Sequence, residues 1–431
     1  AMKDRDRVRF WKVHNEFGYH SGATYDYSPG SLSRYRHWLK ERYRTIDELN
    51  EKWGSSHVSF AVIEPPRSRA EMTARLANWL EWRRFTCWNF ADYFRTTGDL
   101  IRRVCPNAAV SDNFYTTSPM QGWDNFELAR QADYLAYDIY EAQHWPRLLT
   151  LLEHARTGAD AWDKPFIIME YHAGPNHRVT EVTHGDLTIE ASVALARECR
   201  ALQWFRWIPG GGGREQGIHG MMDSQGKPTE RFTAAAEVSA FCQRLAPLLR
   251  RARTVTETAV LTSSDAVYLA HARRASVWAE RNRWDQIAAI LGQAGLQTDQ
   301  IDPKRVVGGA LDRYRVIIAG HVEVLSEAAW RKLHEFVATG GTLILHPDVG
   351  LLNAYGRPRD RGEGYTYTDT GTVDGPWTVR GRVDGRAECT IEEIGQGRIV
   401  HCAWELPRQR PELDACIAMQ KAYLDLLAEY A

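Results

Sequence analysis

Four short apolar runs, each closing on a polar or aromatic side chain and each divided from the next by a helical stretch, constrain this chain more than any other feature. Residues 108–113 (AAVSDN) end in Asp112 and Asn113, and residues 133–140 (DYLAYDIY) end in Asp138 and Tyr140. Residues 165–170 (PFIIME) end in Glu170, and residues 201–207 (ALQWFRW) end near Trp207. Helical segments lie between them at 121–132, 145–158 and 187–200, and another follows at 229–249. A fifth strand opens the chain: Val8, Phe10, Trp11 and Val13 form a β-prone run that leads into Asn15, Glu16 and the turn at Gly18. Strand–helix alternation of this kind lays parallel strands side by side under a helical layer. The expected fold class is α/β, a (β/α)8 barrel domain, whose chemistry collects at the C-terminal ends of the strands.

Five strands do not close an eight-stranded barrel. These are therefore expected to be strands four to eight, spanning residues 1–250. An open barrel exposes unpaired edges, so the missing N-terminal barrel segment is expected from the same polypeptide or a separate chain. Between the first strand and residue 108, Ser31 can cap a helix with Tyr35, Trp38, Leu39 and Tyr43 at helical spacing. Residues 70–104 read as one long amphipathic helix whose Trp79, Trp82, Phe85, Trp88, Phe90 and Phe94 are mostly core. From about 254 the pattern changes to a doubly wound α/β domain, 254–355, with strands at 255–261, 314–319 and 342–346, and helices at 279–294 and 327–338. It carries no G-x-G-x-x-G and no nucleophile elbow. Residues 356–431 read as a linker, a small β domain at 376–404 and a C-terminal helix at 411–429.

Composition narrows the partners. With 54 basic and 55 acidic side chains the net charge is −1, which speaks against nucleic acid or a membrane surface as a partner. No apolar run reaches the roughly 18 residues of a membrane-spanning helix. The seven cysteines are dispersed, without C-x-x-C or zinc-ligand spacing, which suggests reduced thiols in a cytoplasm. The 16 Trp and 18 Tyr favour a carbohydrate site, since indole faces stack on the C–H face of sugars, although Trp also fills cores.

Two glutamates, Glu16 and Glu170, directly follow apolar strands. Paired carboxyl groups about 5–5.5 Å apart serve retaining glycosidases as acid/base and nucleophile. The plainer readings are an exposed Glu at a strand end for Glu16 and a buried ion pair for Glu170. Asn15 can hold a sugar hydroxyl beside Glu16. Asp138, Tyr140 and Trp207 are candidate substrate contacts on the same rim, with Asp112 and Asn113 beside them. His14 is either core or a partner of the site, and His172 either orients Glu170 or lies on a surface loop.

The runs WKVHNEFG and YRHWLKERYRTIDELNEKWG, then FIIMEYHAGP, LQWFRW and REQGIHGMMDSQGKPTERF, resemble the family 42 glycoside hydrolases, the microbial β-galactosidases. FVATGGTLIL resembles the family's second, trimer-forming domain. The resemblance covers nearly the whole chain. It implies a retaining exo-acting hydrolase of terminal β-galactosyl residues, with Glu16 as acid/base after the fourth strand and Glu170 as nucleophile after the seventh. It also implies a homotrimer, a galactoside or oligosaccharide substrate and no cofactor. Departures are visible. The loop after Glu16, Tyr25-Asp26-Tyr27, lacks the cysteines of the zinc cluster that many relatives carry, so no metal is expected. Asn176, His177 and Arg178 stand where the family often has Trp. The family's sugar-binding Glu and His are usually three apart; here His219 lies three after Gln216 and four after Glu215. These changes bear on galactose specificity, not on the two carboxylates, and leave open an α-L-arabinopyranosidase or a β-fucosidase; the absence of strands one to three leaves open a non-catalytic sugar-binding or split-barrel subunit.

Overall fold

The computed structural model describes residues 8, 10–16, 25–115, 119–141, 145–176, 181–273, 286–359, 366–367, 373–374, 378–383, 386–402 and 413–430. Residues 17–24 of the first loop, His177 and Arg178, and residues 279–285 of the helix expected at 279–294 lie outside them. The chain divides into two compact units, residues 1–19, 91–116 and 125–255, and residues 20–90, 117–124 and 256–431.

The first unit is a parallel sheet in sequence order: β1 (Phe10–Asn15), β2 (Ala109–Tyr115), β3 (Leu135–Ile139), β4 (Phe166–His172) and β5 (Cys199–Phe205). Its helices are α5 (Asn125–Gln131), α6 (Trp145–Asp160), α7 (His184–Ala196) and α8 (Glu230–Leu249). Position in the sheet sets burial. Central β3 is buried at every residue, so it can be Leu-Ala-Tyr-Asp-Ile without alternation, whereas the edge strands β1 and β5 stay partly open. Each buried Leu, Ile or Phe adds about 1.5–3 kcal/mol. A capping box starts α7: Thr183 Oγ1 accepts from the Asp186 N–H while Asp186 accepts from the Thr183 N–H.

Register shifts fall where side chains must be re-aimed. One lies between Lys12 and Asn15 on β1, another between Tyr137 and Asp138 where β3 meets β4. An irregularity of this kind bends the strand and redirects the next side chain. Both immediately precede residues that matter below.

The second unit starts with α1 (Pro29–Tyr43), α2 (Ile46–Trp53) and α3 (Arg69–Ala74), then the first half of α4 (Leu76–Val104). The helix expected over 70–104 is thus two, because Arg75 takes φ −120° and ψ 52° and ends α3. Its seven-stranded sheet has β6 (Thr258–Leu261), β7 (Asp299–Ile301), β8 (Val316–Ala319), β9 (Thr342–Leu345), β12 (Thr378–Val383), β13 (Arg386–Ile394) and β14 (Gly397–Cys402). The order is β12-β13-β14-β9-β8-β6-β7. A pair of two-residue strands, β10 (Thr366–Tyr367) and β11 (Val373–Asp374), forms a separate ribbon. The helices are α9 (Ser264–Arg273), α10 (286–293), α11 (Pro303–Val307), α12 (Glu327–Ala338) and α13 (Leu413–Tyr430).

Two expectations are corrected here. The strands expected to form a small β domain join the α/β sheet instead, β14 pairing parallel with β9. The reason lies in β14, where Ile399 and Val400 are both fully buried, one in the core on each side of the sheet. A strand covered on both faces belongs inside a sheet. Residues 25–90 also belong to the unit of the α/β part rather than to that of β1–β5. Tyr35, Leu39, Trp79, Trp82 and Phe85 share one core with Val267, Tyr268 and Leu269, and Trp79 Nε1–H donates to the Tyr268 carbonyl at 2.8 Å.

Candidate functional site

β1, β2, β3 and β4 all end on the same edge of the first unit's sheet, and their last side chains converge. One carboxyl oxygen from each of Glu16, Asp138 and Glu170 lies within 4.8 Å of the others. Neighbouring strands are about 4.8 Å apart, and β1 and β4 are separated by β2 and β3. A flat sheet would hold their ends about 14 Å apart, so the sheet curls to bring Glu16 to Glu170.

Asn113 sits at the centre, fully buried at the end of β2. Its Nδ2 group faces Glu170 Oε1 at 2.9 Å, Asp138 Oδ2 at 2.7 Å and Asn15 Oδ1 at 3.2 Å. Its Oδ1 accepts the Glu16 backbone N–H at 3.2 Å. Glu16 itself has φ 41°, the left-handed region that a side chain adopts at a cost of about 1–3 kcal/mol. The second oxygen of Glu170 accepts from the Tyr140 hydroxyl at 2.7 Å. Lys12 Nζ donates to Asn15 Oδ1 at 2.7 Å.

Crowding three carboxyls into a buried corner separates their proton affinities. Burial pushes Glu16 up from 4.5 to about 7; its hydrogen bond with Asp138 opposes this and the Glu170 charge adds to it. Burial, then the charges of Glu170 and Glu16, lift Asp138 from 3.8 to about 10. Asp138 therefore keeps a proton and donates it to Glu16. Burial also lifts Asp112 to about 6, partly offset by the His14 backbone N–H that it accepts at 3.0 Å. The Tyr140 hydroxyl is held well above its ordinary value by burial and by Glu170, so it stays a donor. Among the described residues the group spaced to hold a cation is this same triad. A protonated Asp138 offers a cation little, so a metal would have to displace its proton first.

The candidates from the sequence are placed as follows. Asp138 is buried between the two glutamates, and Tyr140 binds Glu170 directly. His219, nearly buried with φ 66°, sets its ring 5.5 Å from Tyr140 and 5.3 Å from Phe205. Glu215 pairs with Arg206 at 3.5 Å, and its charge contributes to the rise at Glu16. Gln216 closes the same loop, its backbone N–H on the Gly213 carbonyl at 3.2 Å. Trp207 is exposed, with its ring edge-on to Phe232 at 5.5 Å. Asn15 is joined to the cluster through Asn113. His172 is on neither a loop nor the surface: it ends β4, fully buried, with Nε2 3.0 Å from the equally buried Glu190 of α7. The central part of Asn113 was not foreseen. Its signal is Ser111-Asp112-Asn113, three polar residues in succession on a strand where all three are fully buried.

A parallel α/β sheet that gathers polar groups at the C-terminal ends of its strands holds them where α/β folds carry their chemistry. A family model described as "Beta-galactosidase", glycoside hydrolase family 42, matches residues 2–245, more than half of the chain. The chain belongs to the family 42 glycoside hydrolases. It is 26% identical over 424 residues to a β-galactosidase of Halorubrum lacusprofundi, covering 91% of this chain and 58% of that protein. It is 26% identical over 365 residues to a β-galactosidase of an Arthrobacter species, covering 81% of this chain and 51% of that one. The solved Halorubrum lacusprofundi β-galactosidase matches the fold with a TM-score of 0.75 at 21% identity, covering 97% of this chain and 70% of that one. The chain thus spans little more than half the length of these curated relatives.

Proposed function

We propose that this protein works as a retaining exo-β-galactosidase. The observation that carries the reading is the meeting of Glu16 and Glu170 oxygens within 4.8 Å, with Glu16 raised to about 7. Oxygens this close let two carboxyl groups act on one anomeric carbon, as double displacement requires. Near neutral pH a carboxyl with this pKa can still hold a proton and give it up. Glu16 protonates the leaving oxygen as Glu170 attacks the anomeric carbon; the glycosidic bond breaks and a glycosyl–Glu170 ester forms. Water then attacks that carbon, Glu16 takes its proton, and Glu170 leaves with the ester electron pair. Asn113 and Tyr140 hold the two oxygens of Glu170. Protonated Asp138 supports Glu16, and Asn15 meets the sugar 2-hydroxyl. His219, Gln216, Glu215 and Trp207 frame the sugar from the loop after β5. Galactose as the sugar is supported by the family and by the names of the relatives.

The first unit's edges bear on how this site is completed. Among the described residues β1 and β5 each have a neighbour on one side only, and a groove of about 490 Å³ runs along β5 and α8 past Cys199, Leu202, Trp204, Val238, Cys242 and Ala246. Further barrel strands added at these edges would close the sheet, with the five strands here as the fourth to eighth. The trimer rests on the family resemblance and is tested by light scattering. Buried thiols at Cys87, Cys105 and Cys199 support a reducing compartment.

The test is chemical rescue. Glu170→Gly should lose turnover of an aryl β-galactoside and regain it with azide, giving the α-galactosyl azide. Glu16→Gly with azide should give the β-anomer. Full turnover by Glu170→Gln, or the same anomer from both variants, would defeat the assignment.

A further inference from the structure

Cys389 and Cys402 face one another across the β13–β14 hairpin. They are partners in the antiparallel register, beside Thr390 with His401 and Ile391 with Val400. Directly opposed residues of such a pair have Cα atoms about 4.5 or 5.5 Å apart and project to one face. A disulfide needs Cα atoms about 4.4–6.8 Å apart, so the backbone spacing of either kind of site falls within its range. The shared face is independently visible. Cys389, Ile391, Val400 and Cys402 all enter one buried core with Tyr423 and Leu426 of α13, while Ile399, one residue out of step, enters the core on the other side. Both cysteines are thiols in the structure and each is only 4% exposed.

We infer that Cys389 and Cys402 form a redox-active cross-strand pair, a modification site whose oxidant is a low-molecular-weight disulfide of the glutathione type. One cysteine thiolate attacks a sulfur of the small disulfide and releases one small thiol. The second cysteine thiolate then displaces the other small thiol from the mixed disulfide. The two protons lost by the cysteines end on the two released thiols, so the pair loses two electrons and the small disulfide gains them. The strands already hold both sulfurs on one face, so the second step is intramolecular and fast relative to capture of a second small disulfide. Burial under α13 makes local opening of that helix the gate for the first step.

The experiment exposes the folded protein to oxidised glutathione, alkylates remaining thiols, digests without reduction and maps the peptides by mass. The expected result is a peptide pair joined through Cys389 and Cys402 that dithiothreitol separates. In Cys402→Ser the join should vanish and Cys389 should instead retain one glutathione, the trapped intermediate. Independent glutathione adducts on both cysteines of the unsubstituted protein would overturn the inference. So would alkylation of both after exposure that joins them in the unfolded chain. If Cys402→Ser fails to fold, the mapping of the unsubstituted protein decides alone.

Discussion

Replacing Asp138 by Asn should stabilise the protein, and more so as the pH rises. Asp138 is buried and its carboxyl is lifted from 3.8 to about 10, first by burial and then by Glu170 and Glu16. At neutral pH the native state holds a proton there that the unfolded chain gives up. A folded-state pKa above the unfolded one gives stability that is complete below pH 3.8 and is lost as pH climbs toward about 10. Each unit is about 1.36 kcal/mol, so the loss at pH 7 is about 4 kcal/mol, an upper figure because any water reaching the pair screens it. Asn copies the protonated acid: its oxygen can accept from Asn113 and its amide can donate to Glu16. It has no proton to hold. Urea unfolding followed by Trp fluorescence should show Asp138→Asn more stable at neutral pH, with the gap widening by about 4 kcal/mol between about pH 5 and about pH 8. Activity should fall, because Glu16 loses a partner that can itself gain or lose a proton. A variant less stable than the parent at neutral pH, or a gap independent of pH, would refute the argument.

Other outcomes follow from the same geometry. Tyr140→Phe removes the donor on Glu170 Oε2 but keeps the ring beside His219 and Phe205. Losing a hydrogen bond to a charged group costs about 1.5–3 kcal/mol, so kcat/KM should fall about 10- to 100-fold with the melting temperature nearly unchanged. Glu190→Ala leaves the fully buried His172 without the carboxyl 3.0 Å from its Nε2 and should lower stability by about 1–3 kcal/mol, read by thermal denaturation; His172→Leu added to it should restore part of the loss. The pH profile of kcat/KM should fall on the alkaline side with an apparent pKa near 7, because Glu16 must be protonated to act as acid; a limb unmoved by Glu16→Asp would count against this.

Much of the first unit was legible because its strands are apolar runs with a polar terminus. Buried parallel strands tolerate little else, so Phe166–Met169 reads as interior, Phe166 and Ile168 being buried and Ile167 and Met169 half-buried, and Glu170 stands out for breaking the run. Glu16 and Glu170 were legible as a pair for the same reason. Asn113 was not, since a sequence shows a polar residue in a strand but not the three acceptors that surround it. The surface-loop reading of His172 fails because its partner Glu190 comes from the following helix, α7. The placement of β13 and β14 escaped as well. Alternation identifies a strand, yet only the burial of both Ile399 and Val400 reveals a sheet continuing on either side. The aromatics of α4 fared better: Trp79, Trp82, Phe85 and Phe94 are all buried, as helical spacing required.

Asn113 also sets how this site can age. Lys12 serves Asn15, so the two amide hydrogens of Asn113 are left for Asp138 and Glu170 while its oxygen takes the Glu16 N–H. Spontaneous deamidation would turn that NH2 into a carboxylate oxygen facing those of Asp138 and Glu170. The change is one of the smallest a protein can suffer, yet it would turn the donor at the centre of the corner into an acceptor. What guards against it is local: the next residue is the fully buried Phe114, and an extended strand held in register keeps its backbone nitrogen from reaching the side-chain carbonyl. The shelf life of the site therefore rests on the rigidity of β2.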